Sequence, residues 1–350
     1  MNIWLETEAK NNLKNLIKTC KINGNSIFVL CDDNSAKFCL PTIEDCADEM
    51  FFDNLIVIPQ GEEHKNIATC CSVWQQLMTK GADKKSVLLC VGGGIVCDLG
   101  GFVAATYKRG IKHMLVPTTL LSQVDAAIGD KTAINFEQAK NQIGLFAPAI
   151  GTYIFPHFLK TLPEKEVYSG FSEMLKHALI ADRNYWQALK LASIEEVLNI
   201  DLIQKSIDIK LKIVEQDRQD ESGRRKLNFG HTIGHAIEAL SISDFSVALS
   251  HGHAVALGMI AASYISKNLN MIDNQTFEEI KDTILTYFSV PVVQENQINA
   301  ILDLIKNDKK REGSSLNFTL LTSIGTSVVN QQVSNELIEQ SLKFLFSLAE

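Results

Sequence analysis

The stretch VLLCVGGGIVCDLGGFVAA, residues 87–105, limits the fold of this chain more than any other. A short apolar run ends in three glycines and passes directly into a helical pattern, so a buried strand must turn sharply into a helix. Glycines at such a turn let the backbone approach an anion closely, and the amides that open the helix point at it. The spacing is G-G-G-x-x-x-D and lacks the G-x-G-x-x-G of the common dinucleotide fingerprint. Two readings stand: a nucleotide-binding turn, or a tight strand–helix junction that holds no ligand. Asp98, one turn into the helix, would repel phosphate but suits a ribose hydroxyl.

Similar runs at SIFVLCDD (26–33), NLIVIP (54–59) and HMLVPTT (113–119) are short and rich in Val, Leu and Ile, as buried strands are. NIATCCSVWQQLMTKG (66–81) has helical spacing and a glycine stop. This alternation predicts βαβ units and a mostly parallel sheet. Beyond FPHFLKTLPEKE (155–166), helical patterns dominate until LNFTLLTSIG (316–325). A boundary is expected near 155–165, with an α/β domain over 1–160 and an all-α domain over 161–350.

All eight cysteines fall between Cys20 and Cys97 without a C-x-x-C pair, which reads as reduced core thiols in a cytoplasmic protein. The polar N-terminus does not fit a signal peptide, and no apolar run approaches the roughly 20 residues of a membrane span. A net charge of −8 argues against a nucleic-acid partner.

Chemistry-bearing residues gather in three places. PQGEEHK (59–65) follows a predicted strand and offers Glu62 and Lys65 to the crevice beside Gly92–Gly94. The loop-rich stretch VPTTLLSQVDAAIGDKTAINFEQAKNQIG (116–144) supplies Asp125, Lys131, Lys140 and Asn141, and ATYKRG adds Lys108 and Arg109. These can hold a phosphate or carboxylate, or form an ordinary solvated surface. Four of the eight histidines lie within 231–253. His231 and His235 share a helix face and can ligate one metal or simply pack, and His251 offers a third ligand. Glu173 and Lys176 lie one turn apart on an apolar helix face in SGFSEMLKH, as a functional pair or a helical ion pair.

Nine stretches, PQGEEHK, GGGIVCDLGGFVAATYKRG, VPTTLLSQVDAAIGDKTAIN, KNQIG, FLKTLPEKE, SGFSEMLKH, LNFGHTIGHAIE, HGHAVALGM and NDKK, run in this order from about residue 59 to 310. Together they resemble the 3-dehydroquinate synthase family of sugar phosphate cyclases, near the iron-type alcohol and glycerol dehydrogenases. The resemblance implies a Rossmann-like NAD domain, a helical metal domain and a site between them. It implies Glu173, His231 and His251 as ligands of one divalent ion, zinc or cobalt, with His235 near the substrate phosphate instead. NAD would contact Asp32, Asn34, Glu62, Lys65, Gly93, Gly94, Ile95, Asp98, Thr118, Thr119, Lys131 and Lys140, with Phe158 and Thr161 nearby. Substrate and catalytic roles would fall to Asp125, Lys131, Asn141, Lys176, Lys210, Arg224, Asn228, Lys309 and Lys310. Arg109 would reach a substrate phosphate across a homodimer interface.

The implied reaction converts 3-deoxy-arabino-heptulosonate 7-phosphate to 3-dehydroquinate and phosphate, in the shikimate pathway. It runs by transient oxidation at C5, β-elimination of phosphate, return of the hydride and an intramolecular aldol closure. Three positions depart from the family pattern. Asp130 in GDKT stands where glycine is usual, restricting the backbone and placing an acid beside Lys131. His253 in HGH replaces a glutamate and so removes an acid near His251. Cys97 replaces a glycine, a milder change. These departures keep three other readings in view: a cyclase for another sugar phosphate, a polyol dehydrogenase that releases NADH, and an NAD-binding protein without turnover.

Overall fold

The computed structural model describes residues 1–47, 50–137, 139–245, 248–312 and 317–349, without the side chains of Phe52, Ser243 and 307–312. The chain divides into two compact units, Met1–Pro163 and Glu164–Glu350.

The first unit is built on a six-stranded sheet whose paired strands all run parallel: β1 (Ile3–Leu5), β2 (Ile27–Asp32), β3 (Leu55–Ile58), β4 (Val87–Gly92), β5 (Lys112–Pro117) and β8 (Gly151–Ile154). Their order is β1-β8-β5-β4-β2-β3. Every residue of β4 is buried because helices cover both sheet faces, which explains its unbroken apolar run. Val29, Cys31, Leu89 and Val91 pack toward helices Glu6–Ile22 and Leu40–Ala47. Leu30, Leu88 and Cys90 pack on the other side, toward helices Ile67–Thr79 and Gly94–Thr106. The chain steps outward from β2 to β3, then crosses to β4 on the opposite side of β2. This reversal puts a topological switch point between β2 and β4, where open α/β sheets bind ligands.

The stretch 116–144, expected to be loop-rich, contains an antiparallel hairpin of β6 (Lys131–Phe136) and β7 (Ala139–Phe146). It alternates too weakly to read as strand because β7 is almost wholly exposed and needs no apolar face.

The second unit is mostly helical, with one antiparallel hairpin of β9 (Asn317–Ser323) and β10 (Thr326–Gln332). Helix Glu164–Ala181 is buried on all sides from Ser169 to Ile180, and His251–Asn268 is buried over most of its length. Such helices carry no wet face, so a charged side chain on them must find a partner. Among the described residues, no helix is long and apolar enough to cross a membrane.

Candidate functional site

Glu173 and Lys176 lie on the buried stretch Ser169–Ile180 of helix Glu164–Ala181, and both are almost completely shielded from solvent. The Lys176 ammonium pairs with Glu173 Oε2. Glu173 Oε1 faces two imidazoles, 3.6 Å from His231 Nε2 and 3.7 Å from His251 Nε2. Ligand atoms around a tetrahedral zinc stand roughly 3.3 Å apart, given metal–ligand bonds near 2 Å. The trio is therefore close to a coordination shell. Each ring is held from behind: His231 Nδ1 donates to the Phe229 carbonyl at 3.2 Å, and His251 Nδ1 donates to Glu238 Oε2 at 3.0 Å. Both Nε2 atoms are thereby turned toward Glu173.

His231 opens helix His231–Asp244 and His251 opens helix His251–Asn268. Glycines bring these helices together. A Cβ on Gly234 would lie 2.9 Å from the Ala254 carbonyl oxygen, one on Gly258 would strike the Gly230 carbonyl, and one on Gly252 would strike the Ser169 backbone. The glycines in GHTIGH and HGHAVALG are thus packing requirements of the histidine centre.

His235 is exposed, its ring 5.1 Å from that of His231 and 5.6 Å from that of His251. The three imidazoles also form a group able to hold a metal. Glu173 differs from His235 in being wholly buried, with one oxygen turned to both ring nitrogens.

Burial, then the Lys176 ammonium, holds His231 well below the usual histidine range, against the pull of Glu173. Burial also opposes charge on His251, but Glu173 and Glu238 outweigh it and lift its pKa to about 9. At neutral pH a metal bound at His251 would therefore have to displace a proton. The apparent metal association constant is expected to rise about tenfold per pH unit from pH 6 to 8 and to level off above 9. Chelator-competition titrations across this range check the slope; a flat profile would contradict it.

Lys210 and Arg224 are buried cations in the same unit. Asp217 shapes the loop before Arg224: its carboxylate accepts from the backbone amides of Arg224 (3.0 Å), Ser222 (2.7 Å) and Glu221 (3.0 Å). Those bonds, led by the one from Arg224, hold its pKa at about 2. Asn228 is exposed at the end of the turn Gly223–Asn228. The side chains of Lys309 and Lys310 lie outside the described residues.

In the first unit, the expected cofactor residues cluster at the carboxyl ends of β2, β3, β4, β5 and β8. Asp32 ends β2 and caps the next helix, accepting from Ser35 N at 2.7 Å, and Asn34 bonds Gln60. Gly93 caps the helix that carries Gly94, Ile95 and Asp98. A Cβ on Gly93 would come 3.1 Å from Thr119, so the glycine turn lies against the Thr118–Thr119 pair. Buried Lys65 donates to Asp98 Oδ2 and to Asn141 Oδ1, both at 2.6 Å. Asn135 donates to Glu62 Oε1 at 2.8 Å and accepts from Asn141 N at 2.9 Å. Phe158 and Thr161 lie in the turn Pro156–Thr161 that follows β8. Asp125 sits in the turn Ser122–Ala126 after β5, whereas Lys131 and Lys140 lie on the exposed hairpin.

Arg109 lies in a turn with two left-handed non-glycine residues, Lys108 at φ 49° and Arg109 at φ 65°. The Lys84 ammonium braces this turn, donating to the carbonyls of Lys108 and Arg109, each at 3.1 Å, and to that of Gly110.

Residues 55–169 match the family described as 3-dehydroquinate synthase N-terminal, and residues 170–311 match 3-dehydroquinate synthase C-terminal. The chain belongs to the 3-dehydroquinate synthase family. It is 36% identical to 3-dehydroquinate synthase of Parabacteroides distasonis, covering 96% of this chain and 95% of that one. It is 39% identical to the Pyrococcus abyssi enzyme of the same name, over 82% of this chain and 84% of that one. Its fold is similar to that of 2-epi-5-epi-valiolone synthase from Streptomyces hygroscopicus, solved with NAD+ and Zn2+ (TM-score 0.84, 23% identity, 99% of this chain and 96% of that one). It is also similar in fold to 2-deoxy-scyllo-inosose synthase complexed with carbaglucose-6-phosphate, NAD+ and Co2+ (TM-score 0.80, 21% identity, 98% and 96%).

Two of the expected departures have local explanations. Asp130 follows Gly129 and adopts φ 60°, a left-handed conformation that aspartate tolerates better than most residues. The position thus asks for glycine-like backbone, and aspartate supplies it. His253 turns away from the histidine centre, packing edge-on against Phe288 and donating from Nε2 to the Ser289 carbonyl at 2.6 Å. The acid expected to be missing beside His251 is present as Glu238, from another helix. Glu238, Asn135, Lys84 and Asp217 had not stood out in the sequence. Glu238 left one trace, an acid on the helix of His231 and His235 in an otherwise apolar run.

Proposed function

We propose that this chain is a 3-dehydroquinate synthase, converting 3-deoxy-arabino-heptulosonate 7-phosphate to 3-dehydroquinate and phosphate with NAD and one divalent metal ion, zinc or cobalt. The arrangement that carries the reading is the buried Glu173 carboxylate facing His231 and His251, whose far nitrogens are both anchored. These residues fit a metal: the acid is deeply buried, the ring nitrogens converge on one oxygen, and zinc and cobalt both accept mixed imidazole and carboxylate ligands. The glycine turn at the sheet's switch point fits a dinucleotide, since a side chain on Gly93 or Gly94 would crowd Thr119 or Ala126. When bound, the metal supplies Lewis acidity at the C5 oxygen and NAD takes up and returns one hydride.

Glu173, His231 and His251 hold the metal in this reading, and His235 donates a hydrogen bond to the departing phosphate. Lys176 steadies the charge of Glu173 and holds a proton at Nζ beside the reacting hydroxyl. On family resemblance, Lys210 and Arg224 neutralise substrate anions and Asn228 orients them, and anion-binding roles also fall to Asp125, Lys131 and Asn141. Lys309 and Lys310 are assigned to the substrate phosphate on family resemblance. Asp32, Asn34, Glu62, Lys65, Gly93, Gly94, Ile95, Asp98, Thr118, Thr119, Lys140, Phe158 and Thr161 form the NAD site.

Purified protein with NAD and zinc or cobalt should release phosphate and form 3-dehydroquinate without net NADH. No phosphate release sinks the reading, and steady accumulation of NADH from a polyol would replace it with a dehydrogenase.

The protein acts as a homodimer in this reading, through a face that includes hairpin β6–β7. There Phe136, Ile143, Leu145 and Phe146 are each 37–46% exposed, an apolar surface that favours cover. A monomeric mass by light scattering would contradict it. All eight thiols are free, which fits a reducing, cytoplasmic compartment.

A further inference from the structure

We propose that Glu238 is a positioning residue for the metal: it fixes the ring of His251 and so sets metal affinity. The inference rests on the metal-site reading above. Three observations carry it. Glu238 is an acid only 5% exposed on helix His231–Asp244. Its Oε2 accepts from His251 Nδ1 at 3.0 Å, while Nε2 of the same ring points at Glu173 Oε1, 3.7 Å away. The ring is thus held between two carboxylates, one at each nitrogen. The backbone around Glu238 is also tied down: Ser241 Oγ donates to the Glu238 carbonyl at 2.8 Å and accepts from Leu249 N at 3.1 Å. That pair links the end of one histidine helix to the segment leading into the next.

An imidazole that donates from one nitrogen to a carboxylate has its tautomer and its rotation fixed, and its other nitrogen becomes a stronger donor to a metal. His231 has a weaker version of the same device, a 3.2 Å bond to a backbone carbonyl. His251 is also the more exposed ring, with 31% of its side chain accessible against 14% for His231. The ligand with more freedom to swing therefore has the charged anchor. His253 lies two residues away but spends its Nε2 on the Ser289 carbonyl, so it does not substitute for Glu238.

The test compares the parent with Glu238→Gln and Glu238→Ala. Zinc and cobalt dissociation constants are measured by chelator competition, with the visible absorption of the cobalt-loaded protein as a second readout. Gln keeps an acceptor without the charge and should weaken metal binding about tenfold; Ala removes both and should weaken it toward a hundredfold. The cobalt absorption should shift in Ala and less in Gln. Metal-free melting temperatures are recorded alongside, and Gln, nearly isosteric, serves if Ala fails to fold. Dissociation constants and cobalt spectra matching the parent in a folded variant would overturn the proposal. Failure of the parent itself to bind one metal per chain would instead overturn the metal-site reading, so the two failures are distinct.

Discussion

Glu173→Gln is expected to abolish measurable turnover, with phosphate release falling roughly a thousandfold or more, because in the proposed metal site Glu173 would be the anionic ligand. The same change should lower stability. Lys176 is 1% exposed and pairs with Glu173, and removing one member of a buried ion pair costs about 3–5 kcal/mol. The two effects separate in the double variant Glu173→Gln with Lys176→Met. Removing both charges should restore part of the stability, since no buried charge is then left without its partner. It should restore no activity. Thermal melts and phosphate release, measured on all four proteins of the cycle, check both arms. An active Glu173→Gln protein would show that His231, His235 and His251 hold the metal without it.

Gly258→Ala is expected to be the most damaging single-methyl change in the helical unit. Its new Cβ would meet the carbonyl of Gly230, which caps the histidine helix, and crowd Gly234 N within that helix. A backbone atom cannot rotate aside, so the helices must separate, at a cost of about 3 kcal/mol or more. His231 and His251 open these two helices, so metal affinity should fall with stability. Gly223→Ala is the matched control, because nothing lies within 4 Å of its Cβ position. Denaturant unfolding of both variants tests the contrast; equal midpoints would refute the close approach.

The sheet was legible in the sequence because a parallel sheet covered on both faces needs continuous apolar runs, and 87–92 is such a run with six buried residues. The strand 139–146 was not, because an exposed strand places no demand on its side chains. Glu173 stood out as an acid in an apolar helix. Glu238 did not, because a glutamate within a helix is ordinarily a solvated charge, whereas this one is buried. The departure at His253 looked like the loss of an orienting acid for the same reason. Sequence adjacency to His251 suggested a partner, whereas the carboxylate arrives from a residue thirteen positions earlier. Asp130 shows the converse: a left-handed φ of 60° is invisible in a residue name unless the residue is glycine.

The thiols of the first unit have a practical consequence. Seven of the eight are buried, Cys71 alone being exposed, and all eight belong to Met1–Pro163. Burial pushes the Cys31, Cys39 and Cys70 thiols up to about 12, far from the thiolate that reacts with disulfide and maleimide reagents. The folded protein should therefore take up one label quickly and the other seven only as the sheet unit opens. The chain thus carries an intrinsic reporter of opening in one unit alone, while the helical unit, which has no cysteine, stays silent.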